Sequence, residues 1–365
     1  MSLQDRVLAA AVSRLLAYRA RRGNIERALR GKISPRAAPP TRDAIAVAAV
    51  QMQFAFVNDG AQYAERIYAL AKQAVEQDAQ LVAFPEYAWT PLIGMLPGIR
   101  DLEKQSRGGL KGAANAGGAS LRDILLLIAP AVSSAFVATG SAVAKALGIY
   151  LMNGSTIARD AAGNLFNVAH FFAPDGAHLG AQKKMHAFTT EREWLTLGSE
   201  LQIFDLSVTR VAAPVCMDFT YWETTRVAWQ QGAEILINPS ADESAPYEYL
   251  QARGVRTRVQ EAPCYGILAN MVTDLFGLGW RGPSLIVAPL GLDARGSILA
   301  RTPSTDRAEI VVAELDLKCL REFRAQQHWD FNRVLLNEIL PRAYQGRART
   351  MEQAIVLAMN DADSG

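Results

Sequence analysis

Cysteine and histidine are both scarce. The 365-residue chain holds three cysteines, Cys216, Cys264 and Cys319, and four histidines, His170, His178, His186 and His328. Three cysteines with no C-x-x-C spacing exclude a disulfide framework and a cysteine-rich zinc site, and they fit a reducing, cytoplasmic setting. The histidines are scattered, with no H-E-x-x-H or comparable ligand spacing, so neither a metal nor another cofactor is expected. Neither sign of charge is in excess, with 38 Lys and Arg against 36 Asp and Glu. That balance gives no footing for a nucleic-acid partner. A secretory signal and a fixed-period repeat are also lacking. One uncharged run, 124–144, is long enough to span a bilayer. Pro130, Ser133, Ser134, Thr139, Gly140 and Ser141 interrupt it. It reads as two core-facing helical pieces that break near Pro130.

Half of the residues are hydrophobic, enough for a sizeable core. Residues 1–42 stand apart, with ten basic groups against Asp5 and Glu26. Val7, Leu8, Val12, Leu15 and Leu16 recur there at helical spacing, and Pro35, Pro39 and Pro40 follow. A basic amphipathic helix suits an anionic membrane surface, an acidic partner, or packing on its own domain or a second subunit. Its apolar face is Ala and Leu rather than Trp and Phe, which favours packing.

From Ala44 the pattern turns to strand, helix and strand: 45–53, then 63–76 with Ile67, Leu70, Ala71 and Val75 on one face, then 80–84. A sheet covered by helices, an α/β fold, is expected. Residues 98–120 are Gly-, Ala- and Ser-rich and read as a flexible surface insertion. Strands follow at 148–155, 165–172 and up to Gln182, the second and third joined through Pro174-Asp175-Gly176. Strand 235–237, a helix over 247–260, and strands at 265–270, 283–287 and 310–315 complete the domain, set at 43–318. Residues 319–365 read as a mixed, interface-forming tail with exposed aromatics Phe323, Trp329, Phe331 and Tyr344.

Chemistry concentrates where apolar runs stop. Val211, Ala212, Ala213 and Val215 lead to Cys216, and a helix-like stretch begins soon after. A thiol at a strand end before a helix is where an α/β fold exposes a nucleophile. Glu86 follows the 80–84 strand, and Lys184 ends the strand through Gln182. A carboxylate can take the thiol proton and later activate water, and an ammonium can hold the oxyanion of a tetrahedral intermediate. Tyr87, Trp89, Phe188, Trp194, Phe219, Tyr221 and Trp222 are aromatics around these blocks that could line a pocket, or else pack in the core or at a subunit interface. Asn238 and Ser240 stand past another strand end as polar candidates.

In order along 44–317 the chain resembles the nitrilase-like carbon–nitrogen hydrolase superfamily. Val47-Ala48-Ala49-Val50-Gln51-Met52 resembles its opening strand, Phe84-Pro85-Glu86-Tyr87 its first catalytic block, Lys183-Lys184-Met185-His186 its lysine block, and Val215-Cys216-Met217-Asp218 its nucleophile block. Arg256 to Asn270 and Ser284 to Gly291 resemble its late strands. The resemblance implies a four-layer α-β-β-α sandwich assembled as a dimer or larger homo-oligomer. It also implies thiol-dependent hydrolysis of a non-peptide C–N bond in a small amide or carbamoyl compound through a thioester. Nitrile hydrolysis and acyl transfer to an amine are the enzymatic alternatives, and a scaffold docking through the basic helix is the non-enzymatic one. The resemblance assigns Glu86 as base, Lys184 as oxyanion-side cation and Cys216 as nucleophile. Glu191 fits the spacing of a second glutamate, with Glu193 the neighbouring alternative. Tyr87, Trp89, Met217, Phe219, Tyr221, Asn238 and Ser240 are the expected substrate contacts. Met217-Asp218 after the cysteine, where nitrilases usually carry Trp-Glu, leans towards an amidase or carbamoylase.

Overall fold

The structure is a computed structural model, and it describes residues 3–32, 35–105, 120–242, 252–292, 296–327 and 332–345. Alternation along the strands sets the layers. In β1, Ala44–Gln53, residues Ile45, Val47 and Ala49 point into one apolar cluster and Ala48, Val50 and Met52 into another. A strand buried on both faces must be covered on both. The first cluster also holds Leu81 and Ala83 of β2 (Leu81–Ala83), Met152 of β3 (Tyr150–Arg159), and Val211 of β7 (Arg210–Ala212). Ile235 and Ile237 of β8 (Ile235–Ser240) and Ile267 and Ala269 of β9 (Tyr265–Leu275) complete it. Two half-sheets therefore pack face to face.

Strand order confirms the division. It runs β5-β4-β3-β2-β1-β9-β8-β7-β6, where β4 is Leu165–Phe172, β5 His178–Lys183 and β6 Ile203–Asp205. Among the described residues the two halves pair strand to strand where the ends of β1 and β9 run parallel, Met52 opposite Met271 and Gln53 opposite Val272. Further strands extend each half. Glu309–Asp316 pairs antiparallel with β1, and Leu278–Trp280 and Leu285–Val287 pair antiparallel with β9.

Helices cover the outer faces. On the first half lie α1 (Leu3–Arg19), α2 (Arg22–Leu29), α3 (Gly60–Val75) and, after a short α4 (Ile99–Gln105), the long α5 (Leu121–Leu147). On the second lie α6 (Trp222–Gln230) and α7 (Val255–Glu261), against Ala212, Leu236 and Leu268. The layers are α-β-β-α.

One helical expectation is corrected. Residues 121–147 form one helix rather than two pieces broken at Pro130. Its buried side, including Leu125, Ile128, Val132, Phe136, Val143 and Leu147, lies in the helix-side core, and burial of that length offsets the cost of one interior proline. It is long and apolar enough to cross a membrane by length and composition. In this fold, however, Gly140 presses on the ring of Phe172, where an added Cβ would stand 2.2 Å from a ring carbon. The amino-terminal helices pack on the domain: Leu16, Ala20, Ile25 and Leu29 are buried with α3 and α5 residues, and the Arg19 guanidinium donates to the Met95 carbonyl at 2.6 Å. Val7 and Leu8 remain exposed. The compact units are Met1–Arg321 and Glu322–Gly365, so these helices belong to the first unit. The 98–120 insertion includes α4 at its start, and 106–119 lie outside the described residues. The helix expected over 247–260 is seen as Val255–Glu261, with 243–251 outside the described residues. In the second unit, Leu335–Ile339 is a π-helical turn, Phe323 is half-buried and Tyr344 exposed, while Trp329 and Phe331 are not among the described residues.

Candidate active site

Three chain segments, each leaving a strand, deliver the charged groups. The first is Pro85-Glu86-Tyr87 after β2. Its backbone turns back on itself, with Tyr87 at φ 56°. It is clamped on β3: the Tyr87 N–H donates to Ser155 Oγ at 3.1 Å and the Ser155 N–H to the Pro85 carbonyl at 3.2 Å. Gly154, at φ 77°, makes the approach feasible, since a Cβ there would stand 2.2 Å from the Pro85 oxygen. The second segment is Lys184, one residue past β5, whose N–H donates to the Asn167 carbonyl at 2.8 Å. The third is Cys216, opening a 3₁₀ turn to Thr220 with φ 46°. A non-glycine residue held in the left-handed region is strained, and such strain persists where surroundings fix it.

The fixing residue is Asp218, which is fully buried. Its carboxylate accepts from the N–H groups of Val215 (2.9 Å), Met185 (3.1 Å) and His186 (2.8 Å), and contacts His186 Nδ1 at 2.9 Å. One side chain thus staples the cysteine turn to the lysine segment. From α7, Arg258 donates to the carbonyls of Phe219 (2.9 Å) and Thr220 (3.1 Å), fixing the far end of the turn.

Lys184, 1% exposed, bridges two carboxylates: Nζ donates to Glu86 Oε1 at 2.7 Å and to Glu191 Oε2 at 2.6 Å. An ammonium has three N–H bonds, so one remains. Glu191 also accepts from the Tyr87 hydroxyl and from the Phe188 N–H at 2.7 Å. Asn167 on β4 donates to both acids, at 2.9 Å to Glu86 and 3.4 Å to Glu191. Glu193, by contrast, is exposed, so Glu191 is the glutamate on the lysine. The Cys216 thiol lies close enough to Glu86 and Lys184 to interact with both electrostatically. On its other side Ser240 Oγ stands 3.4 Å from the sulfur and donates to Asp242 Oδ1 at 2.8 Å.

Burial chiefly pushes the Glu86 carboxyl up, to about 7, helped by the charge of Glu191 and opposed by Lys184 and the thiol. Burial likewise drives the Cys216 thiol well above its usual value, as does the charge of Glu86. Lys184 is pulled down by burial but raised more by Glu86, Cys216 and Glu191, and stays charged. The resting arrangement is a neutral thiol beside a carboxylate that titrates near neutrality, with a fixed cation. It can pass a proton from sulfur to Glu86 and hold a developing anion on the cation. Among the described residues no group of three or more His, Cys, Asp and Glu could hold a metal ion.

The expected substrate contacts divide. Ser240 stands at the sulfur. Tyr87 is hydrogen-bonded to Glu191 and stacked on Trp280, ring centroids 5.6 Å apart. Met217 is half-buried beside the Thr220 hydroxyl. Tyr221 lies at the surface, stacked on His186 at 4.4 Å. Trp89 and Phe219 are corrected: both are buried in apolar clusters on the helix sides of the sheets, because their rings fill core space. Asn238 is buried within β8 opposite Leu268. Sequence reasoning missed Asn167, Asp218 and Asp242. A polar residue inside an apolar strand, as Asn167 is in Leu165–Phe172, was the available signal.

A model of the carbon-nitrogen hydrolase family matches residues 46–325. Omega-amidase from Homo sapiens is 32% identical over 201 residues, 51% of this chain and 68% of that protein. A nitrilase from Pyrococcus abyssi is 30% identical over 183 residues, 50% of this chain and 65% of that protein. Among solved structures, a Saccharomyces cerevisiae member of branch 10 of the nitrilase superfamily superposes with a TM-score of 0.59 at 22% identity, covering 81% of this chain and 99% of that one. An amidase from Nesterenkonia gives 0.57 at 19%, covering 78% and 95%. These two likenesses are of fold.

Proposed function

The chain belongs to the carbon–nitrogen hydrolase family, and from that premise we propose that it is an amidase acting on small amides through a thioester on Cys216. The observation that carries this reading is the buried Glu86–Lys184–Glu191 bridge, with the Cys216 thiol in electrostatic contact with Glu86 and Lys184. Glu86 takes the thiol proton as sulfur attacks the amide carbon. The carbonyl π electrons move to oxygen, where the third Lys184 N–H and the Met217 backbone N–H hold them. The tetrahedral species collapses, the C–N bond breaks, and Glu86 returns the proton to the leaving nitrogen, releasing ammonia or an amine. Water then attacks the thioester with Glu86 again as base. The acid leaves, and the thiol regains its proton. Glu191 keeps Lys184 in place with Tyr87 and Asn167 behind it, acting as a positioning residue.

Omega-amidase relatives at about 30% identity support an amidase over a nitrilase, as does Met217-Asp218 after the cysteine. The test is ammonia release over a panel of primary amides, carbamoyl amino acids and nitriles by the parent and by Cys216→Ala. Loss of at least about 10⁴-fold in the variant is expected; equal rates would overturn the reading. The base must be ionised to work. With Glu86 near 7, kcat/KM is therefore expected to fall tenfold per pH unit well below pH 7 and to level off above it. A flat profile from pH 5 to 8 would remove Glu86 as the base.

A further inference from the structure

Asp242 adjoins the site beyond Ser240, within the electrostatic reach of Lys184 but in no ion pair with it, and is fixed in place by its own backbone. Its N–H donates to Asn270 Oδ1 at 3.4 Å, and its carbonyl accepts from the Arg281 N–H at 2.9 Å. Both carboxylate oxygens act as acceptors: Oδ1 from Ser240 at 2.8 Å, Oδ2 from the Asn270 amide at 3.4 Å. Those donors are neutral. Among the described residues no Lys or Arg forms an ion pair with Asp242. Lys184 is already bound to two other acids, and the Arg281 guanidinium is turned to Asp274 and to the carbonyls of Thr273 and Trp280. The site thus holds three carboxylates, Glu86, Glu191 and Asp242, against one ammonium.

A carboxylate withdrawn from water without a counter-charge is costly. Burial pushes the Asp242 carboxyl up, and its charge in turn pushes the Cys216 thiol up. A cation arriving beside Asp242 relieves both. Asp242 is half-buried, so one side of it still faces out. The Ser240 hydroxyl contacts both the sulfur and Asp242, which puts Asp242 one side chain away from a group bonded to Cys216.

From this placement we infer that Asp242 is a specificity determinant that selects amides carrying a positively charged group, such as a short ω-amino amide. The inference rests on the amidase reading for its reaction and deepens it by naming the charge of the substrate. The ammonium of the substrate donates to Asp242 while the amide carbon sits at the sulfur. The same contact cancels the charge that opposes thiolate formation, so the cation assists the chemistry as well as the binding.

Ammonia release by the full chain is measured on three amides of similar length: 5-aminopentanamide (cationic), pentanamide (neutral) and glutaric acid monoamide (anionic). The expected kcat/KM for the cationic amide exceeds that for the neutral one by about tenfold or more, with the anionic one lowest. Asp242→Asn is expected to bring the cationic-to-neutral ratio near one. Equal or reversed preference in the parent overturns the inference even if the variant fails to fold. So does a ratio that survives in a folded Asp242→Asn protein. Calorimetric binding of 5-aminopentanamide and pentanamide to Cys216→Ala reads the same contact without turnover. If the parent hydrolyses no amide, the amidase reading falls, and this binding arm alone decides whether the pocket prefers a cation. Equal binding of the two amides, or binding of neither, ends the inference.

Discussion

On one side of Cys216, Lys184 ties Glu86 and Glu191 at 2.7 and 2.6 Å, and Asn167, Tyr87 and the Phe188 N–H fill the remaining acceptor positions. On the other, Ser240 and Asn270 offer Asp242 neutral donors at 2.8 and 3.4 Å. The first flank is closed: Glu86, Lys184 and Glu191 are all at most 3% exposed. On the second, Ser240 and Asn270 are each 1% exposed and Asp242 is half-buried. Buried charges are tolerated when each satisfies another, so the closed flank binds catalysis and stability into one structure. The open flank lacks that mutual support and can respond to what enters the pocket. Perturbing the closed flank should therefore cost stability and rate together, and perturbing the open one mainly rate.

The largest effect is expected from Lys184→Met. It leaves Glu86 and Glu191 facing each other, buried, with no counter-charge. Destabilisation of about 3–5 kcal/mol is expected from urea unfolding at pH 7.5, with amide hydrolysis undetectable. The sign of the pH dependence follows. Without the cation the Glu86 carboxyl, already raised by burial, rises further in the folded state, so the native protein binds more protons than the unfolded chain above about pH 4.5. Stability then falls as pH rises, and the deficit of the variant should shrink when measured at pH 5. A variant as stable as the parent at pH 7.5 would show that the two flanks do not differ in this way.

Asn167→Leu comes next. It removes the donor shared by Glu86 and Glu191 but keeps the bridging ammonium. A hydrogen bond to a charged group contributes about 1.5–3 kcal/mol, so kcat/KM should fall roughly 10- to 100-fold. A lost donor to the ionised form raises a carboxyl further. The acid limb of the rate profile should therefore move above pH 7, which a purely structural defect would not do.

How far these flanks were legible in the sequence follows from what each residue depends on. Glu86 and Cys216 each follow a buried apolar run and Lys184 follows the more polar strand β5; a strand end is a local feature, so their positions could be read from the chain, and their roles came from the family resemblance. The pattern predicted a sheet covered by helices, and the four layers came from the family resemblance; the structure shows why two covering layers are needed, since Ile45, Val47 and Ala49 alternate with Ala48, Val50 and Met52 and a run apolar on both faces demands cover on both. Asp218 could not be assigned. Its role is to accept N–H groups from Met185 and His186, 33 and 32 residues away, and a lone aspartate beside Cys216 carries no mark of that. Asn167 reaches Glu86 across 81 residues. Pro130 misled in the opposite direction: a local rule predicts a break, but the helix around it is held by the long-range packing of residues such as Phe136 and Gly140 on Phe172. Trp89 and Phe219 misled because a ring near a catalytic block is as useful to a core as to a pocket.

The smallest effect is expected from Ser240→Ala on the open flank. The hydroxyl is 3.4 Å from the sulfur, and a neutral hydrogen bond contributes about 0.5–1.5 kcal/mol, so kcat/KM should fall less than about tenfold with the urea midpoint nearly unchanged. When the sulfur ionises, the Ser240 hydroxyl can turn from Asp242 to donate to it, which favours the thiolate. Removing the hydroxyl should move the pH dependence of Cys216 alkylation by iodoacetamide to higher pH. The two flanks meet at one sulfur, so they can be compared by a common readout. If Ser240→Ala lowers stability as much as Asn167→Leu does, the serine is part of the scaffold, and the site has one continuous network around Cys216 instead of a closed side and a responsive one.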